Sequence, residues 1–193
     1  MKITSVNIGI VAPLFVKADG NSQTVRSGIR KQPVVGKVAV RPLGLAGDEQ
    51  ADLSVHGGLD KAVYAYPSEH YAFWQAEAER VFKQPVTLAH GALGENLTTE
   101  GIFERDLWVG DRLRAGDLLL EVTEPRQPCA KFNAVLGYER AGKDMVQSAR
   151  CGFYLAVEVP GTLRAGEAFT LEPGARQTSI AQTLQHKAFK HMR

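Results

Sequence analysis

Short runs of apolar, β-branched and aromatic residues, cut by glycine-rich turns, recur along the chain and predict strands. The clearest are "PVVGKVAV" (33–40), "DKAVYAYP" (60–67), "LLLEVTE" (118–124) and "FYLAVEV" (153–159), with a first strand over residues 2–11. Gly-Asp pairs at 47–48, 110–111 and 116–117, together with Gly57-Gly58 and Gly94, punctuate them. Many short strands at this density predict a mainly β barrel or sandwich. Two segments change period. In "PSEHYAFWQAEAERVFK" (67–83), Tyr71, Trp74, Ala78, Val81 and Phe82 fall at three- and four-residue steps behind a Pro-Ser start, which predicts a helix with one apolar face. In "TSIAQTLQHKAFKHM" (178–192), Thr178 or Ser179 caps a second helix that repeats Ile180, Leu184 and Ala188. "LRAGDLLLEVTEP" (113–125) and "LRAGEAFTLEP" (163–173) echo one another and read as two hairpins with the same turn chemistry.

The strand pattern runs to residue 173, and Pro173-Gly174 then separates a helical tail, so the division expected is a barrel domain over 1–173 and an appendage over 174–193. At 193 residues the chain is long enough to bury a sizeable core. A formal net charge of +2 points away from nucleic acid as a partner. No apolar run approaches the roughly 20 residues of a membrane helix. The apolar start is broken by Asn7, Gly9 and Pro13, unlike a signal peptide, so a cytoplasmic location is expected. Two cysteines, Cys129 and Cys151, are too few for a disulfide scaffold or a cysteine-held iron–sulfur cluster.

Candidate chemistry concentrates in four places. In "EPRQPCAKFN" (124–133), Pro125 and Pro128 stiffen a loop, and Arg126 and Lys131 flank Cys129 with charge that favours its thiolate, the form that attacks electrophiles or binds soft metals. Cys151 precedes an apolar strand and reads as packing. "GLAGDEQADLSVHGGLDKAVYAY" (44–66) offers Asp48, Asp52, His56 and Asp60 as acid–base groups, Gly57 and Gly58 for close backbone approach, and Lys61 as countercharge. "TVRSGIRKQPV" (24–34) gathers Arg26, Ser27, Arg30 and Lys31, a composition suited to phosphate. "LGENLTTEG" (93–101) adds Glu95 and Asn96 on a turn. Each segment alone also has a plainer reading: Cys129 as a small buried thiol, 44–66 as two hairpin turns with solvated charges, and 24–34 as an exposed loop of solvated cations. The sequence holds no G-x-S-x-G elbow, Walker loop or dinucleotide fingerprint in the strand–turn–helix context such motifs require. A cysteine hydrolase pairing Cys129 with His56 stays open on the residues alone.

Taken in order, "SGIRKQPV", "GLAGDEQADLSVHGGLDKAVYAYPSEHYAFW", "LGENLTTEG", "VGDRLRAG" and "EPRQPCAKF" resemble the MOSC family, domains related to the C-terminal part of molybdenum cofactor sulfurase, and within it the YiiM-like branch. The resemblance implies a MOSC-like, mainly β (α+β) barrel with peripheral helices and a cofactor cleft at one end. It implies the molybdenum cofactor, a Mo-pterin, with Cys129 as protein ligand to the metal. Arg26, Ser27, Arg30, Lys31, Gly57, Gly58, Lys61, Asn96 and Arg126 are then candidates for the cofactor site, and Asp48 and His56 candidates for moving protons. The implied activity is reduction of an N-hydroxylated small molecule, such as a 6-hydroxylaminopurine-type base analogue, to the amine and water. Electrons come from a separate flavin or iron–sulfur reductase, and a homodimer is the oligomer envisaged. A cofactor-binding or sulfur-carrier module without turnover is the alternative. The branch often carries a three-helix C-terminal extension, of which only residues 178–192 read as helical here.

Overall fold

The computed structural model describes residues 1–18, 20–53 and 57–190. In chain order it contains β1 (Lys2–Ile8), β2 (Ala12–Ala18), β3 (Asn21–Ser27), β4 (Gln32–Pro33), β5 (Val38–Arg41), β6 (Gly44–Leu45), β7 (Val63–Pro67), α1 (Tyr71–Phe82), β8 (Leu97–Glu100), β9 (Arg112–Ala115), β10 (Leu118–Pro125), α2 (Ala130–Leu136), α3 (Ala141–Ser148), β11 (Phe153–Val159), β12 (Gly161–Leu163), β13 (Thr170–Glu172) and α4 (Ile180–Lys190). The main sheet runs β13-β9-β10-β11-β7-β8-β1-β4 and is antiparallel except for the β7–β8 pair. It curls back on itself. The segment leading into β13 meets β1 at the far side, with Ile3 N donating to Glu167 O and Gly166 N to Ile3 O, both at 2.8 Å. The expected mainly β, barrel-like architecture is what the chain forms, with helices at its periphery. A small β12-β5-β6 sheet and a β2–β3 ribbon complete it.

Strand composition explains the interior. Leu118, Leu120 and Val122 of β10 have no exposed surface, and β7 is buried on both faces because it lies between β11 and β8 under α1. Trp74 of α1 packs edge-on against Phe132 of α2, centroids 5.2 Å apart, and its indole N–H donates to Tyr66 OH. The predicted α1 stripe holds for Tyr71, Trp74 and Ala78, whereas Val81 and Phe82, in the last turn before the left-handed cap at Lys83, are exposed.

Several boundaries differ from expectation. The first strand stops at Ile8, and 33–40 is interrupted after Pro33, where Gly36 takes a positive φ and its two ends join different sheets. The start of the 67–83 helix is a 3₁₀ turn over Ser68–His70. Of the two echoing segments only the first is a hairpin, since β12 pairs with β5 and β13 with β9. The C-terminal helix lies outside the sheet yet is not detached: Ile180 and Leu184 are buried in the core, and Ser179 Oγ caps the helix by accepting from Gln182 N at 3.2 Å. Asp111, fully buried, holds the approach to it by accepting from Gly174 N at 2.8 Å.

Candidate active site

Three adjacent strands carry one wall of the site. Glu124 of β10 stands opposite Tyr154 of β11, and Tyr154 opposite Tyr64 of β7. Beyond Pro125 the chain leaves the sheet and turns Arg126 inward. Its guanidinium lies 5.0 Å from the Tyr64 ring centroid and 4.5 Å from that of Phe132, and Nη1 donates to Leu93 O at 2.9 Å. Arg126 is 4% exposed, and among the described residues no carboxylate pairs with it. Burial alone would push its pKa down, but Tyr64 and Cys129 beside it outweigh that, so the group stays a cation. Cys129, a free and partly exposed thiol, follows in extended conformation and accepts the first backbone hydrogen bond of α2, from Phe132 N at 3.0 Å.

The facing wall comes from the end of the ribbon and the loop after β6. Gly28 sits so close to Glu49 O that a Cβ there would collide with backbone, which is why a residue without a side chain joins these segments. Lys31 and Asp48 form an ion pair with side chains 8% and 2% exposed. Asp48 Oδ1 also accepts from Gly9 N at 2.8 Å, and Oδ2 from Asn96 Nδ2 at 2.9 Å. Asn96 Oδ1 in turn accepts from Tyr64 N at 3.1 Å, so a polar chain ties Lys31 to the opposite wall. Burial lowers the Lys31 pKa, and Asp48 only partly offsets it. Lys61 closes a third side, 3.3 Å from Glu124.

Between these walls lies a cavity of about 590 Å³, counted out to its mouth, and Cys129, Asp48, Ser27, Lys31, Lys61, Asn96 and Arg126 all line it. Those seven candidates, scattered over a hundred positions, are brought together. Arg26 and Arg30 are not. In strand β3 the alternation that turns Ser27 inward turns Arg26 outward, where Nη2 donates to Val11 O at 3.3 Å, and Arg30 is exposed beside inward Lys31. Gly57 and Gly58 act one step removed: Gly57 packs on Gln50, Gly58 N donates to Gln50 Oε1 at 3.3 Å, and Gln50 is the residue that lines the cavity. His56 lies outside the described residues. Glu95 proves to be a buried brace, accepting from Gly91 N, Leu93 N and the Thr98 and Tyr71 hydroxyls so that Asn96 is held beside it. Tyr64, Tyr154 and Gln50 were not among the expected site residues. The strand alternation of the two tyrosines was visible, but nothing local marks which face meets a cavity, and Gln50 sits in the loop after β6 with no pattern to single it out.

A family model for the MOSC domain matches residues 52–170. The chain belongs to the MOSC domain family. Protein YiiM of Escherichia coli is 38% identical over 139 residues, 72% of this MOSC chain and 61% of that protein. A protein named reductase from Gibberella moniliformis is 37% identical over 148 residues, 76% of this chain and 26% of that much longer one. The crystal structure of YiiM from Geobacillus stearothermophilus superposes with a TM-score of 0.75 at 32% identity, covering 100% of this chain and 86% of that one. MOSC domains are generally associated with molybdenum-cofactor binding. The donor set of this MOSC chain fits such a group. Among the described residues no cluster of three His, Cys, Asp or Glu side chains forms a metal cage, whereas one cavity-facing thiol suits a soft metal that brings ligands of its own. The buried, carboxylate-free Arg126 suits an anionic portion of the same ligand.

Proposed function

We propose that the chain is a molybdenum-cofactor-dependent reductase of N-hydroxylated small molecules, with the balance R–NH–OH + 2 e⁻ + 2 H⁺ → R–NH₂ + H₂O. The observation that carries this reading is the Cys129 thiol on the same cavity as buried Arg126, in a chain of this family. Cys129 Sγ would hold the metal. Arg126, with Lys31, Lys61 and Ser27, would hold the anionic end of the pterin. When bound, the cofactor supplies the two-electron chemistry. The N–O bond breaks, and the departing oxygen needs protons. Asp48 has both oxygens committed, so its part is to hold the Lys31 ammonium at the cavity wall, where its N–H protons line the same space. His56 remains the expected further relay. Electrons would come from a separate flavin or iron–sulfur reductase.

The test is elemental analysis and turnover on one preparation made in a cofactor-competent host. Molybdenum near one per chain and donor-driven conversion of 6-hydroxylaminopurine to adenine are expected. Cys129→Ser should lose both, and X-ray absorption should lose one Mo–S contact. Full activity in Cys129→Ser would overturn the ligand assignment, and molybdenum without any turnover would identify a cofactor carrier instead.

A further inference from the structure

Two aromatic rings line the cavity, and they are not equivalent. Tyr64 is consumed by the fold: it is 4% exposed, its hydroxyl donates to Cys151 O at 2.8 Å, and Arg126 stands against its ring. Tyr154 lies beside it in register on β11, with centroids 5.2 Å apart and planes at 41°, and keeps part of its surface open to the cavity. Lys61 Nζ stands 6.0 Å from the Tyr154 centroid. Apart from glycines, Ile29 and Ala51, the rest of the lining is charged or polar. A ligand with a flat apolar portion therefore finds one matching surface there, on the same lining as Cys129.

We propose that Tyr154 is the specificity-determining residue of the site, its ring receiving the flat portion of the substrate so that aryl and heteroaryl hydroxylamines are favoured over puckered aliphatic ones. The inference rests on the reductase reading for its chemistry but not for its geometry. Stacking needs two flat faces in contact, and a saturated ring of equal size presents axial hydrogens instead. The phenol oxygen is not required, because the contact is made by the face.

The test compares N-phenylhydroxylamine with N-cyclohexylhydroxylamine on cofactor-loaded protein, and adds calorimetric binding of adenine, which is flat and unreactive. Wild type should prefer the phenyl compound, and Tyr154→Ala should cut that preference in kcat/KM by about tenfold, chiefly through KM. Tyr154→Leu, which keeps bulk without a π face, should do the same and guards against misfolding of the smaller variant. Tyr154→Phe should keep the preference, and adenine should bind about tenfold more weakly to Tyr154→Ala and Tyr154→Leu. An unchanged preference in both truncations overturns the proposal, as does a Tyr154→Phe loss equal to that of alanine. If wild type reduces neither compound, the reductase reading fails, and adenine binding alone then decides: weakened supports Tyr154, unchanged removes it.

Discussion

Asp48 shows how much one side chain can be asked to hold. Its carboxylate accepts from Gly9 N, the Lys31 ammonium and the Asn96 amide, with almost no access to water. Removing one partner of such a pair leaves the other charge buried and uncompensated, at a cost of about 3 kcal/mol. Asp48→Asn should therefore lower stability by that order in denaturant unfolding, and the double variant Lys31→Met/Asp48→Asn, which removes both charges and keeps an acceptor for Gly9 N, should recover part of it while binding cofactor less well. Cys129, Lys31 and Arg126, which the fold gathers on one cavity, were legible as candidates from their residue types and stiff loops. That both oxygens of Asp48 are committed was not, because its partners are 17, 39 and 48 positions away and no local pattern announces them.

Strands β7, β10 and β11 were readable from composition, since each is an apolar run bounded by turn residues. Helices α2 and α3 escaped notice. "AKFNAVL" and "AGKDMVQS" span two turns each, too short for a helical period to stand out, and they are helical because tertiary packing holds them. That packing supports Cys129. Gly142 of α3 donates its N–H to Asn133 Oδ1 at 2.7 Å, and a Cβ on it would stand 3.0 Å from Pro128 Cβ. Gly142→Val should push α3 from the proline that precedes Cys129, costing about 1–3 kcal/mol by overpacking and weakening molybdenum retention. Lys143→Ala, on the exposed side of the same helix, should change neither thermal stability nor metal content.

All five tyrosines of the molecule sit where burial, first among the causes, raises their pKa above the ordinary 10.0. The folded chain keeps those protons at a pH where the unfolded chain has released them. Their contribution is therefore complete below pH 10 and is lost as pH rises above it, with a slope of up to about 7 kcal/mol per pH unit. Lys31, whose pKa is lowered, works the other way as pH climbs toward 10.5, but it is one group against five. Tyrosinate absorbance should accordingly appear together with loss of circular dichroism, and a tyrosinate signal rising well before unfolding would contradict the burial seen here. The curled sheet also seals Cys151, which has no exposed surface, while Cys129 stays open to the cavity. A native molecule thus offers thiol-alkylating reagents a single cysteine, and cofactor bound to it should shield it. The fraction of chains gaining one carbamidomethyl mass would then count the vacant molecules in any batch, giving an inventory of loading that needs neither metal analysis nor catalysis.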